Sequence, residues 1–281
     1  MTPTTATTTA TTTTTTTTTT PTTARSTGAV LQDLSPVDQL RAGRMARRLV
    51  QLFAGLTLYG ASMAMMLRSG LGLNPWDVFH AGVARHVPLS MGTVVILAAV
   101  LVLALWIPLR QVPGLGTVAN TLWLGVALDL SLRVLPSVDG LAVQVPVLVS
   151  GIVLNGLAGA LYIGSQLGPG PRDGLMTGIA RRTGGSLRIV RTVIEVVVLA
   201  LGWALGGTVG IGTVLYALAI GPLVQRFMPW CVVVVEPPGL HVPRRPRPGR
   251  TGARSRRGAG GDGVEDPDDV LGDLEGSGRG R

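Results

Sequence analysis

Two aspartates stand out in an otherwise apolar chain. Asp77 ends the run Asn74, Pro75, Trp76, Asp77, and Asp173 ends the run Gly170, Pro171, Arg172, Asp173. A proline preceded by Asn or Gly and followed two residues later by a carboxylate reads as a helix start. Asn74 or Gly170 takes the N-cap, the proline the first helical position, and the aspartate N3, among unpaired N–H groups at the positive end of the helix dipole. On one reading each carboxylate is only a cap. On the other, two helix starts buried inside a membrane protein converge on a cavity. Asp77 and Asp173 then ligate a cation or carry a proton, while Asn74, Trp76 and Arg172 shape specificity.

A second group is Arg188, Arg191 and Glu195. Arg191 and Glu195 are four apart, share a helical face and can pair. At 1.5 Å per residue, Glu195 lies about 12 Å along a helix that starts at residue 187. That is mid-membrane depth, where a charged residue costs roughly 2.5–3.5 kcal/mol and must face the protein interior. It is either half of a structural ion pair or part of a transport site. The candidate substrate-binding set is therefore Asn74, Trp76, Asp77, Arg172, Asp173, Arg191 and Glu195. No catalytic residue, cofactor or metal is expected. Cys231 is the only cysteine, and His80, His86 and His241 have no ligand spacing. No nucleophile–base set points to an enzyme.

The elements that must position these residues are apolar. The chain is 46% hydrophobic and 14% charged, where soluble domains carry about 25% charge. Six runs approach the roughly 20 residues needed to cross hydrocarbon: 49–69, 90–110, 114–135, 143–165, 187–207 and 210–230. Residues 71–130 overlay 167–226 without a gap at an offset of 96, with about a third of positions identical. The matched landmarks include Pro75/Pro171, Asp77/Asp173, Ser90/Ser186, and Gly114, Gly116 and Thr117 against Gly210, Gly212 and Thr213. The duplication extends to Gly60/Gly156 and Ala64/Ala160, small residues four apart that let helices pack closely. Each repeat also holds a short segment, 75–87 or 171–183, reaching only some 20 Å. These are interfacial or re-entrant half-helices.

Three crossings per repeat is odd, so the second repeat must enter from the opposite side. Arg placement agrees, because cytoplasmic loops are basic. With the N-terminus inside, Arg110, Arg172, Arg181, Arg182 and Arg188 fall on the cytoplasmic side, and Arg68, Arg85 and Arg133 outside. Asp129, one turn from Arg133, is expected to be solvated or paired, and Asn155 to hydrogen-bond a neighbouring helix. Residues 1–44, Thr-rich at their start, are expected to be disordered, with Met45 an alternative translation start. Residues 45–142 and 143–235 form the two repeats, and 236–281 a disordered cytoplasmic tail. Net charge is +9, but the basic tail lacks interleaved aromatics, which argues against nucleic-acid binding.

The ordered series Gly72, Pro75, Trp76, Asp77, Val78; Pro113, Gly114, Gly116, Thr117; Gly168, Pro169, Pro171, Arg172, Asp173, Gly174; Arg191, Glu195; and Leu205, Gly206, Gly207, Gly210, Gly212, Thr213 resembles the YczE/YitT-type family of bacterial multi-pass membrane proteins, most closely its YczE branch. The resemblance covers roughly residues 50–230. It implies an integral membrane protein and brings no substrate or catalytic residues. The expected object is an all-α inner-membrane protein with both termini cytoplasmic. It would have six spans in two inverted repeats and move a small solute or ion between its halves. The alternative is an accessory or regulatory protein that binds another membrane component and moves nothing. The expected partners are the lipid bilayer and a small solute or ion, with a homo-oligomer left open.

Overall fold

The computed structural model describes residues 35–235, so the tail 236–281 and most of the N-terminal segment lie outside the described residues. Ten helices run through it: α1 (Pro36–Arg41), α2 (Met45–Ser69), α3 (Pro75–Ala84), α4 (Met91–Ala104), α5 (Trp106–Leu109), α6 (Leu115–Val134), α7 (Leu141–Gly164), α8 (Pro171–Thr183), α9 (Leu187–Ala204) and α10 (Ile211–Cys231). Five stretches are long and apolar enough to cross a membrane: α2, α4 continued into α5, α6, α7 and α10. The sixth expected span, α9, is an 18-residue helix interrupted by Arg188, Arg191 and Glu195.

One expectation is corrected. Residues 36–41, placed in the disordered segment, form α1. Ser35 caps it by accepting from the Asp38 N–H, with Pro36 in the first turn, a local start signal overlooked beside the threonine run. Long-range contacts hold it. Ala42 packs with Val233 and Val235, and the fully buried Arg48 donates to the carbonyls of Gln39, Ser165 (2.9 Å) and Gln166 (2.6 Å).

The expected capping is present. Asn74 Oδ1 accepts from Asp77 N–H at 3.0 Å, and the Thr117 and Thr213 hydroxyls accept from Gly114 and Gly210 N–H at 3.1 and 3.3 Å. The second expected span breaks at Leu105, between α4 and α5. Pro108 lies four residues after Ala104, where a proline has no N–H to donate and its ring crowds that carbonyl.

Helix starts repeat at the offset of the duplication: Met45 and Leu141, Pro75 and Pro171, Met91 and Leu187, Leu115 and Ile211 are each 96 residues apart. Contacts are reciprocal as well. Gly116 N–H donates to Leu167 O at 2.6 Å, and its equivalent Gly212 N–H donates to Leu71 O at 2.9 Å. Gly55 packs on Ala158, Leu161 and Tyr162, while Gly151 packs on Ser62, Met65 and Met66. Partners are thus exchanged between positions 96 residues apart. The helices α2 and α7 pack along their length and run antiparallel, with Arg48 beside Ser165, Gln51 beside Leu161 and Ser62 beside Asn155. The half-helices cross over: α3 packs on α9 of the other half, and α8 on α4.

Candidate functional site

The two helix starts meet at the centre. Trp76 and Arg172 are equivalent positions, and the Arg172 guanidinium lies 4.9 Å from the centroid of the Trp76 ring. Two positions equivalent by the duplication are thus in direct contact. Behind it the two aspartates differ. Asp77 is 1% exposed, held by Asn74 through its backbone N–H and, from the Asn74 amide, through Oδ2. The His80 Nδ1 lies 3.4 Å from Asp77 Oδ1. Neither of those two atoms completes a hydrogen bond. Asp173, after Gly170 with no side-chain cap, is exposed and turns its carboxylate to open space.

That space is a cavity of about 250 Å³, lined by Tyr59 of α2, Asn155 and Tyr162 of α7, Asp173 of α8, Arg191 of α9 and Tyr216 of α10. A smaller extension of about 70 Å³ continues past Asp173 to Arg172 and Asn120. One wall is a hydrogen-bonded chain: Tyr216 donates to Asn155 Oδ1 at 2.9 Å, Asn155 Nδ2 donates to Ser62 at 2.8 Å, and Ser62 donates to the Tyr59 carbonyl at 2.7 Å. The expected interhelical bond of Asn155 is thus made to α2. The duplication exchanges residue types here, since Tyr59 matches Asn155 and Asn120 matches Tyr216.

Arg191 pairs with Glu195 at 3.0 Å, and their side chains are 55% and 34% exposed. Arg191 lines the cavity; Glu195 lies one turn further on, outside the lining. The structure therefore gathers Asp173 and Arg191 at the cavity and Arg172 at its extension. Asn74 and Asp77 form a closed cap at the other helix start, with Trp76 reaching Arg172. Tyr59, Tyr162 and Tyr216 were not among the sequence-derived candidates. Their rarity was the available signal, because the whole chain has three tyrosines.

The cavity exists because the two halves close differently. In the first half, α4 and α6 are in contact: Ser90 donates to Asp129, and the Gly92 N–H donates to Asp129 Oδ1 at 2.7 Å. Asp129 therefore holds the start of α4 rather than pairing with Arg133. Val95, Leu124 and Leu128 fill the space behind it. In the second half the equivalents are Arg188, Arg191, Ile220, Val224 and Gln225, and nothing lies within 4 Å of where a Gly221 side chain would be.

Similarity to known proteins agrees with the apolar helices. The chain is 38% identical over 179 residues to an uncharacterized protein of Haemophilus influenzae, covering 64% of this chain and 82% of that one. It is 32% identical over 186 residues to the uncharacterized membrane protein YczE of Bacillus subtilis, covering 66% and 86%. It is 27% identical over 179 residues to the uncharacterized protein YyaS of the same organism, covering 62% and 89%. No solved structure matches. Residues 46–229 match DUF6198, described as a family of unknown function, and the chain belongs to this YczE-like family of membrane proteins.

Proposed function

We propose that the protein is a small-solute or ion transporter rather than an enzyme, with its site between two inverted three-span repeats of a bacterial inner-membrane protein. The observation that carries this reading is the unequal closure of equivalent seams around one central cavity. A transporter that exposes its site to one side at a time needs one gate shut while its counterpart is open. With both termini cytoplasmic and α9 as the sixth crossing, the shut seam of Ser90, Gly92 and Asp129 faces outward. The open seam of Arg188, Gly221 and Gln225 faces the cytoplasm. The antiparallel packing of α2 on α7 and the basic loops after α8 support this orientation.

Two measurements test it. In a Cys231→Ser background, Leu89→Cys and Gly185→Cys place single thiols at equivalent, exposed loop positions. An impermeant maleimide should label the first on intact cells and the second only after permeabilisation. Labelling of both from one face ends the inverted-repeat reading. Purified protein in liposomes should then show solute flux or charge movement that Asp173→Asn abolishes. Flux unchanged in a well-folded Asp173→Asn protein removes this cavity as the site.

A further inference from the structure

All three tyrosines of the sequence, Tyr59, Tyr162 and Tyr216, line the same 250 Å³ cavity. They come from α2, α7 and α10, so no local sequence pattern groups them. Tyr162 is 4% exposed, and its hydroxyl lies beside Gly170, turned toward Asp173.

The charges around the cavity are unevenly committed. Arg191 acts on Asp173 through space, but its own partner is Glu195 at 3.0 Å. Arg172 likewise acts on Asp173, but is stacked over Trp76. Asp173 is the carboxylate that faces the open volume. A carboxylate within a wall of electron-rich rings matches a cation with apolar substituents: the carboxylate supplies counter-charge, and ring faces attract the methylene or methyl groups that carry the positive charge. An anionic ligand would meet Asp173 head-on. Among the described residues, no group of three His, Cys, Asp or Glu side chains could hold a metal ion. The volume is below the roughly 300 Å³ at which pockets for drug-sized ligands begin, so the ligand is small.

We propose that this cavity binds a small organic ammonium, quaternary or protonated, with Asp173 as counter-charge and Tyr59, Tyr162 and Tyr216 as walls. The proposal uses the same cavity as the transport reading but requires only binding. The test is equilibrium binding of labelled choline to the purified full-length protein in detergent, competed with tetramethylammonium and with 3,3-dimethylbutan-1-ol, the neutral isostere of choline. Choline should bind, tetramethylammonium should displace it, and the neutral isostere should not. Asp173→Asn should weaken binding at least tenfold, and Tyr59→Leu or Tyr216→Leu roughly 2- to 30-fold each. Absence of choline binding, equal competition by the neutral isostere, or full affinity in a folded Asp173→Asn protein overturns the proposal. If Asp173→Asn does not fold, discrimination between choline and its isostere by the unaltered protein decides. Ammonium binding without flux in liposomes would leave this inference standing and remove the transport reading. Flux of another cargo with no ammonium binding would do the reverse.

Discussion

The seam between α4 and α6 and the seam between α9 and α10 descend from one duplicated design, but one is sealed and the other is a cavity wall. The sealed seam depends on Gly92, where a side chain would overlap the Gly125 carbonyl oxygen and the Asp129 carboxylate. Its equivalent in the second half is Arg188. An arginine cannot enter a contact that excludes even a methyl group, so the second seam cannot close as the first does. The asymmetry is therefore written into the sequence at 92/188, 95/191 and 129/225, not only into one conformation. If the second seam shuts, it must do so with another geometry, around the Arg188 side chain.

The largest effect should come from carrying the second half's residue into the first. Gly92→Arg forces α4 off α6, and overpacking alone typically costs 1–3 kcal/mol, occasionally more. We expect a loss of at least about 3 kcal/mol, or failure to fold, by denaturant unfolding in detergent. The reverse change, Arg188→Gly, should stay within roughly 1 kcal/mol, the helix-propensity cost of glycine. Similar losses for both would mean that the two seams are equally packed and the comparison is wrong.

Next comes the lock itself. Asp129→Ala removes the acceptor of the Ser90 hydroxyl and the Gly92 N–H, leaving both donors unpaired at a cost of about 1–3 kcal/mol. The equivalent Gln225→Ala, on the exposed side of the open seam, should change stability by less than about 0.5 kcal/mol. Thermal unfolding of the two variants side by side measures the difference between the seams. In transport, Asp129→Ala should also raise labelling of a thiol placed at Val95, 2% exposed behind the lock, and an unchanged labelling rate would show that Asp129 is not part of a gate.

Much of this architecture is encoded locally. Caps at Asn74, Thr117 and Thr213, the proline starts of α3 and α8, and the offset of 96 residues depend on neighbours in sequence and could be read without coordinates. The partner of Asp129 could not, because helical spacing offered Arg133 while the actual partners lie 37 and 39 residues away across a helix pair. The tyrosines were hidden for a related reason. At the repeat offset Tyr59 falls on Asn155, Tyr162 on Met66 and Tyr216 on Asn120, so a comparison searching for matched pairs passes over them. Residues that make the halves different leave no mark in an alignment of the halves, and the cavity is built largely from such residues.

Between the two helix starts, the contact of Trp76 with Arg172 offers a test of intermediate size. Arg172→Ala should cost about 0.5–2 kcal/mol, the range for a cation held over an indole ring from exposed to desolvated sites. Because the two positions are equivalent by duplication and touch each other, the exchange Trp76→Arg with Arg172→Trp should recover much of what either single change loses. Additive losses in the double variant, read by thermal unfolding, would show that the surroundings of the two positions differ too much for their equivalence to matter.

The smallest effect is expected at Arg191 and Glu195, although the sequence places this pair at mid-membrane depth. A buried mid-membrane ion pair broken on one side would cost several kcal/mol. These side chains are instead 55% and 34% exposed, and Arg191 borders the cavity. If that space holds water, the pair is screened like other exposed i,i+4 pairs, worth about 0.3–0.5 kcal/mol. A double-mutant cycle with Arg191→Gln and Glu195→Gln, read by unfolding in detergent and repeated in liposomes, measures the coupling directly. A value near 0.5 kcal/mol that falls further with salt fits a water-filled opening on the α9 side. A salt-insensitive coupling of about 3 kcal/mol or more would mean that the second seam is closed and dry in the membrane, and the contrast between the two halves would then be lost where the site needs it.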